Sequence, residues 1–279
     1  MIVHTQRWVM AAGLLLLVAC GAGETDHNKT NKVIYVSVPP HAYLARAIAA
    51  PQFEVRSLIQ AGQDPHHWQP TPKQMLALGN AAAWLPANLP FEQRLLSKIQ
   101  GKQATEQEHG HQHHDHAGET HTWLSPPAMI EKSQQMVQIL SELDPEHAKL
   151  FEQRAAKLEE KIEQVHHQLQ KQLAPYKGRS FLVFHNALQP FANTYGLKQC
   201  VIQSGDASPD PKRLRDRIQL ARTEQLTTIF VQPQFDSQSA KIVAQAIGGK
   251  MISIDPLAED VLANVKKIAD ALELSFVRD

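Results

Sequence analysis

DPEHAKLFEQRAAKLEEKIEQVHHQLQKQLAP, residues 144–175, is the stretch on which the fold turns. Asp144-Pro145 supplies a start signal and Pro175 a stop. Between them Phe151, Ala155, Leu158, Ile162, Val165, Leu169 and Leu173 recur at spacings of four or three, one apolar stripe on an otherwise polar helix. About thirty residues at 1.5 Å each make a rod of roughly 45 Å. That is longer than one small α/β lobe, and the rod sits near the middle of the chain. The pattern predicts a rigid backbone helix over 144–174 joining two lobes. A coiled-coil partner helix fits less well, because the stripe stays within the length that one protein can cover.

On either side of this helix, short apolar runs alternate with helical patterns. Val33–Val38, Phe53–Ile59, Ala81–Leu85, Phe181–Phe184, Ile229–Val231 and Met251–Ile254 read as strands, and Gln199–Ile202 reads as a buried one. Several are continuous Val/Ile/Phe runs, as expected of strands covered on both faces. Thr71-Pro72-Lys73-Gln74 carries an N-cap, a proline at the first helical position and a glutamine at the third, with Gly79 as a stop. Ser125-Pro126 opens another helix, with Met129, Met136, Leu140 and Leu143 on one face, and Asp210-Pro211 opens a third. Strands alternating with helices predict an α/β fold: two lobes with mainly parallel sheets, residues 33–143 and 175–279, joined by the long helix.

Composition narrows the function. The 279 residues carry 28 basic and 28 acidic side chains, a formal net charge of zero, which argues against a nucleic-acid partner. Two cysteines are too few for a disulfide framework or a four-cysteine zinc site. The 15 histidines are the anomaly, because six of them fall between residues 109 and 121. Residues 102–120 are polar and aperiodic, and read as an insertion loop in the first lobe. Its His109, His111, His113, His114 and His116, beside acids, suit loose capture of a borderline metal such as zinc.

The amino terminus reads as an export signal. Arg7 precedes a twelve-residue apolar run, Trp8 to Ala19, too short for a bilayer span of about 20 residues. The run ends Leu17-Val18-Ala19-Cys20, which resembles a bacterial lipobox. Residues 1–19 are then a lipoprotein signal peptide, Cys20 carries the lipid, and residues 20–32 form a flexible tether to the membrane. Cys200, left without an intrachain partner, reads as a core residue.

In open α/β sheets ligands bind beyond the carboxyl ends of the strands. Phe181–Phe184 runs straight into His185, and Met251–Ile254 into Asp255. His66 and His67 sit on the exit loop of Phe53–Ile59, and His121 lies just before the Ser125 helix start. A lone histidine at a strand end is more often structural. Three imidazoles and a carboxylate drawn from both halves of the chain are together a four-coordinate set of the kind zinc prefers.

These residues also lie in motifs. Gly62-Gln63-Asp64-Pro65-His66 with Gln69-Pro70-Thr71-Pro72, His121-Thr122-Trp123-Leu124-Ser125-Pro126, Phe184-His185-Asn186-Ala187 and Ile254-Asp255-Pro256-Leu257 resemble, in order, the four metal-ligand motifs of bacterial zinc/manganese solute-binding proteins. Those are the capture subunits of zinc-uptake ABC transporters. The resemblance runs from about residue 33 to the C-terminus. It implies two lobes bridged by a long helix, with the metal in the cleft between them. It implies His66, His121 and His185 as ligands of transported Zn2+, and Asp255 as the fourth ligand or a nearby carboxylate. It also implies a monomeric receptor in the cell envelope whose partner is an ABC permease. The nitrogen-rich set favours zinc over manganese.

There are two departures. Glu119-Thr120-His121 stands where the family usually has Asp-Pro-His, which leaves the orientation of His121 open. Gln232-Pro233-Gln234 stands where many members have Glu-Pro-Gln. His41 and His67 read as structural or supporting residues. The alternatives are a receptor for manganese or another divalent metal, and a zinc buffer or adhesin without a transporter. A zinc hydrolase is disfavoured, since the chain has no H-E-x-x-H, G-x-S-x-G or phosphate loop.

Overall fold

The protein's structure, a computed structural model, describes residues 32–96, 120–203, 211–235 and 238–278. Cys20, the export signal, most of the tether, Asp210 and His109, His111, His113, His114 and His116 lie outside the described residues.

The first half carries a three-stranded parallel sheet in the order β2-β1-β3, from β1 (Lys32–Val36), β2 (Phe53–Ser57) and β3 (Ala83–Leu85). Helices α1 (Pro39–Ala49), α2 (Pro72–Gly79), α3 (Pro90–Leu96) and α4 (Pro126–Leu143) accompany it. The second half carries a four-stranded parallel sheet in the order β5-β4-β6-β7. Its strands are β4 (Ser180–His185), β5 (Lys198–Gln203), β6 (Thr228–Val231) and β7 (Lys250–Ser253). Between the halves lies α5 (Ala148–Leu173), and α6 (Gln189–Tyr195), α7 (Pro211–Thr223), α8 (Gln238–Ala246) and α9 (Val261–Arg278) complete the chain. In both sheets the chain crosses from a central strand to either side, so each has a switch point at its carboxyl end.

All seven residues of the stripe on α5 are buried. The helix packs on α1 and α4 of the first half and on α6 and α9 of the second. One continuous apolar core therefore runs through it, from Ile34 and Phe53 to Phe181, Val265 and Leu272. A second cluster, including Leu182, Phe184, Ile229 and Val243, lies on the other face of the second sheet.

The long helix is shorter than its sequence signals suggest. The α-helical part has 26 residues, preceded by a 3-10 turn at Pro145–His147 and followed by another at Ala174–Tyr176. The Asp144 side chain makes no cap bond to the backbone; its Oδ1 lies 3.0 Å from His147 Nδ1. Ser125 likewise makes no cap bond, because its hydroxyl meets Thr194 Oγ1 at 2.9 Å. Thr71 and Gln74 do form the reciprocal capping box. Strand β1 stops at Val36 because Val38 is already the N-cap of α1, whose first two residues are prolines. Cys200 is half-buried on an edge strand, and burial raises its thiol pKa.

Candidate metal centre

Three of the four proposed ligands meet. One nitrogen each of His66, His121 and His185 forms a group whose members all lie within 4.8 Å of one another. The Nε2 atoms of His66 and His185 are 3.0 Å apart. Two ligands on a tetrahedral zinc at ~2.0–2.1 Å are about 3.3 Å apart, so the pair is spaced nearly as an ion requires. The ring centroids are 4.8 Å apart for His66–His185, 5.7 Å for His66–His121 and 6.3 Å for His121–His185.

Each imidazole is placed by a different local device. His185 is the last residue of β4, at the carboxyl end of one of the two inner strands of its sheet. His66 sits on the loop after β2, where Gly62 turns the chain at φ +80. Asp64 fixes that loop: its Oδ1 accepts from the His66 backbone N–H at 2.9 Å, and its Oδ2 lies 2.6 Å from His67 Nδ1. His67 is thereby held at the surface. His121 adopts the left-handed conformation, φ 67 and ψ 27, just before a 3-10 turn at Thr122–Leu124. That backbone is uncommon for a residue with a side chain and must be held by its surroundings.

Two neighbours hold His121. Thr120 Oγ1 lies 3.0 Å from its Nδ1, which would leave Nε2 for a metal ion. Trp123 packs against the ring with centroids 5.1 Å apart, and its indole N–H donates to the Pro256 carbonyl at 2.7 Å. His41, buried on α1, meets the same indole edge-on at 5.8 Å. Trp123 thus ties His121 in the first half to the loop that follows Asp255.

Asp255 is outside the three-nitrogen group. Its Oδ1 accepts from Gln234 Nε2 at 2.6 Å and from the Leu257 backbone N–H at 2.9 Å. The Gln232-Pro233-Gln234-Phe235 stretch borders the site closely. Gln232 Nε2 donates to the His185 carbonyl at 3.2 Å, and the Phe235 ring stacks on the His185 ring at 4.3 Å with a 28° tilt.

The electrostatics suit a neutral nitrogen donor. Burial, and then the neighbouring His66 and His185, lower the His121 pKa to about 3. This ring is therefore neutral and metal-ready throughout the physiological range. Burial also pushes His41 well below the usual imidazole value.

Sequence reasoning placed the three histidines but gave no role to Thr120, Trp123, Gln234 or Phe235. Thr120 and Trp123 flank His121 in its motif, and Gln234 lies in the departing Gln-Pro-Gln, so the signals were present without a geometry to interpret them.

Comparison with known proteins agrees with the fold. The profile of the family described as periplasmic zinc-uptake complex component A matches residues 34–273. A crystal structure of a zinc-bound ZnuA lacking its residues 138–173 superposes with a TM-score of 0.80 at 30% identity, covering 87% of this chain and 97% of that one. The zinc-binding lipoprotein AdcA of Streptococcus pneumoniae strain R6 is 26% identical over 267 residues, 87% of this chain and 53% of AdcA. A protein of Chlamydia muridarum with a provisional metal-binding name is 25% identical over 278 residues, 92% of this chain and 97% of its own.

Proposed function

Because the chain belongs to the family of periplasmic zinc-uptake component A, we propose that it captures Zn2+ in the three-imidazole cluster and delivers it to an ABC permease. A receptor, not an enzyme, is what the family implies. The observation that carries the reading is the convergence of His66, His121 and His185, drawn from both halves of the chain, within 4.8 Å. Nitrogen donors suit zinc better than manganese, and zinc's preference for four ligands leaves one position beyond the three imidazoles. Asp255 then acts as a carboxylate beside the site.

The halves 33–143 and 175–279, with 144–174 between them, serve as two lobes around the metal. Their relative motion is small. One buried core crosses α5. Trp123 Nε1 to the Pro256 carbonyl, Ser125 to Thr194 and the ion pair of Arg46 with Glu259 span the two halves. Delivery then proceeds by a modest opening. Lipidation at Cys20 would hold the monomeric receptor in the cell envelope near its permease. The histidines of residues 102–120 would act as a weaker, secondary zinc store.

Metal analysis and competition titration of the purified chain test the reading. One tight zinc is expected per chain, lost in His185→Ala. Retention of that tight zinc in His185→Ala would refute the site. Delivery is tested in cells: deletion of the gene should stop growth under zinc limitation, with rescue by added zinc. Normal growth of the deletion strain would refute the uptake role.

A further inference from the structure

Asp255 is far in sequence from the three imidazoles but is linked to them through its neighbours: Pro256 accepts from Trp123, which packs on His121, and Gln234, bonded to Asp255, precedes the Phe235 that stacks on His185, yet the carboxylate is not in their group. Its Oδ1 receives two hydrogen bonds, from Gln234 Nε2 at 2.6 Å and from the Leu257 backbone N–H at 2.9 Å. Its backbone carbonyl accepts from Asn264 Nδ2 at 2.8 Å, which pins the residue from the other side. Gln234 is itself well placed to restrain it. The residue two positions before, Gln232, is bonded to the His185 carbonyl, and the residue after, Phe235, stacks on the His185 ring. The amide oxygen of Gln234 is buried with no hydrogen-bond partner among the described residues, so the bond recorded for the side chain is through its nitrogen end, on the carboxylate. Bonds from an amide N–H to an ionised acceptor are among the stronger ones in proteins.

We propose that Gln234 is a specificity-determining residue: by latching the Asp255 carboxylate outside the three-imidazole cluster, it keeps the donor set nitrogen-rich and disfavours oxygen-seeking divalent ions such as Mn2+. The proposal rests on the three-imidazole metal site described above. A fourth, anionic oxygen would make the site more hospitable to manganese, whose preferred donors are carboxylates, carbonyls and water. Gln234 acts through Asp255 and touches no metal, so its signature is a change in selectivity that disappears when the carboxylate is removed.

The test is competition titration of the full chain with Zn2+ and with Mn2+ at neutral pH, for wild type, Gln234→Met, Asp255→Asn and the double variant. Methionine matches glutamine in length and cannot donate. The zinc-to-manganese affinity ratio is expected to fall by about tenfold or more in Gln234→Met and to return to the wild-type ratio in Gln234→Met/Asp255→Asn. A ratio unchanged in Gln234→Met, or a fall that persists in the double variant, overturns the latch. If Gln234→Met fails to fold, Asp255→Asn decides alone. An unchanged ratio supports a carboxylate outside the donor set, and a rise of about tenfold or more shows it already inside and overturns the proposal. Failure of the metal-site reading is separately visible, as a wild-type chain with no tight zinc or a His185→Ala variant that keeps it, and it removes the latch as well. Tight zinc lost in His185→Ala together with an unmoved ratio in Gln234→Met removes the latch alone.

Discussion

Replacing Thr120 with valine removes one oxygen and little volume, and isolates the device that orients His121. In the structure Thr120 Oγ1 is 3.0 Å from His121 Nδ1, and the imidazole is only 2% exposed. When Nε2 binds a cation the ring becomes a better donor at Nδ1, so the bond to Thr120 strengthens on metal binding. A net neutral hydrogen bond is worth ~0.5–1.5 kcal/mol, and a buried donor left without a partner costs ~1–3 kcal/mol. Loss of such an outer partner typically weakens metal binding by about 10–100-fold, or ~1.4–2.7 kcal/mol. A hydroxyl is a neutral acceptor, so the expected loss lies near the lower end, about tenfold. The assay is competition for Zn2+ against a chromophoric chelator of known affinity, with the melting temperature of the metal-free protein as a control for folding. Thr120→Ser, which restores the oxygen, should recover wild-type affinity. Zinc affinity within about twofold of wild type in Thr120→Val, or a serine variant as weak as the valine one, would refute the argument.

Further expectations follow from the same structure. Phe151→Ala, in the fully buried stripe of α5, should cost ~3–5 kcal/mol in urea unfolding, and a cost below ~1 kcal/mol would contradict a core continuous through the helix. Trp123→Phe keeps the ring but leaves the Pro256 carbonyl without its indole donor; a loss of ~1–3 kcal/mol is expected in the same assay, and no loss would deny the tie between the halves. The metal-free protein should be least stable in acid. His121 titrates near 3 when folded and near ~6.5 when unfolded, so the unfolded chain binds the extra proton between those values. Stability is full above pH ~6.5 and falls by ~1.4 kcal/mol per unit below it, about 2 kcal/mol by pH 5, with buried His41 adding in the same direction. A metal-free melting temperature flat from pH 7.5 to 5 would count against both buried imidazoles. Deleting residues 102–118 should bring zinc stoichiometry down to one and spare the tight site; loss of the tight site would overturn the ligand assignment.

The fold was legible because its signals are periodic and local. The stripe from Phe151 to Leu173 needs only a helix period, and the Val/Ile/Phe runs need only burial on both faces. Helix α4 starts at Pro126, as Ser125-Pro126 signals, but the Ser125 hydroxyl makes no cap bond because Thr194 from the second half takes it. His66 and His185 were legible as residues beyond strand ends, and His121 as a residue just before a helix start. Their surroundings were not, because Trp123, Gln234 and Phe235 matter through contacts that cross the chain, and Thr120 through a side-chain geometry that adjacency to His121 does not fix. The bond from Trp123 to Pro256 spans 133 positions. A glutamine bonding a carboxylate has no sequence periodicity at all.

The most direct test of the central claim is X-ray absorption at the zinc edge on the full chain loaded with about half an equivalent of Zn2+, so that the tightest site fills first. Three imidazole nitrogens at ~2.0–2.1 Å are expected, with the outer-shell scattering of histidine rings, and a drop in that scattering for His66→Ala, His121→Ala and His185→Ala. A first shell dominated by oxygen or sulfur, or a histidine signal unchanged in all three variants, would contradict it.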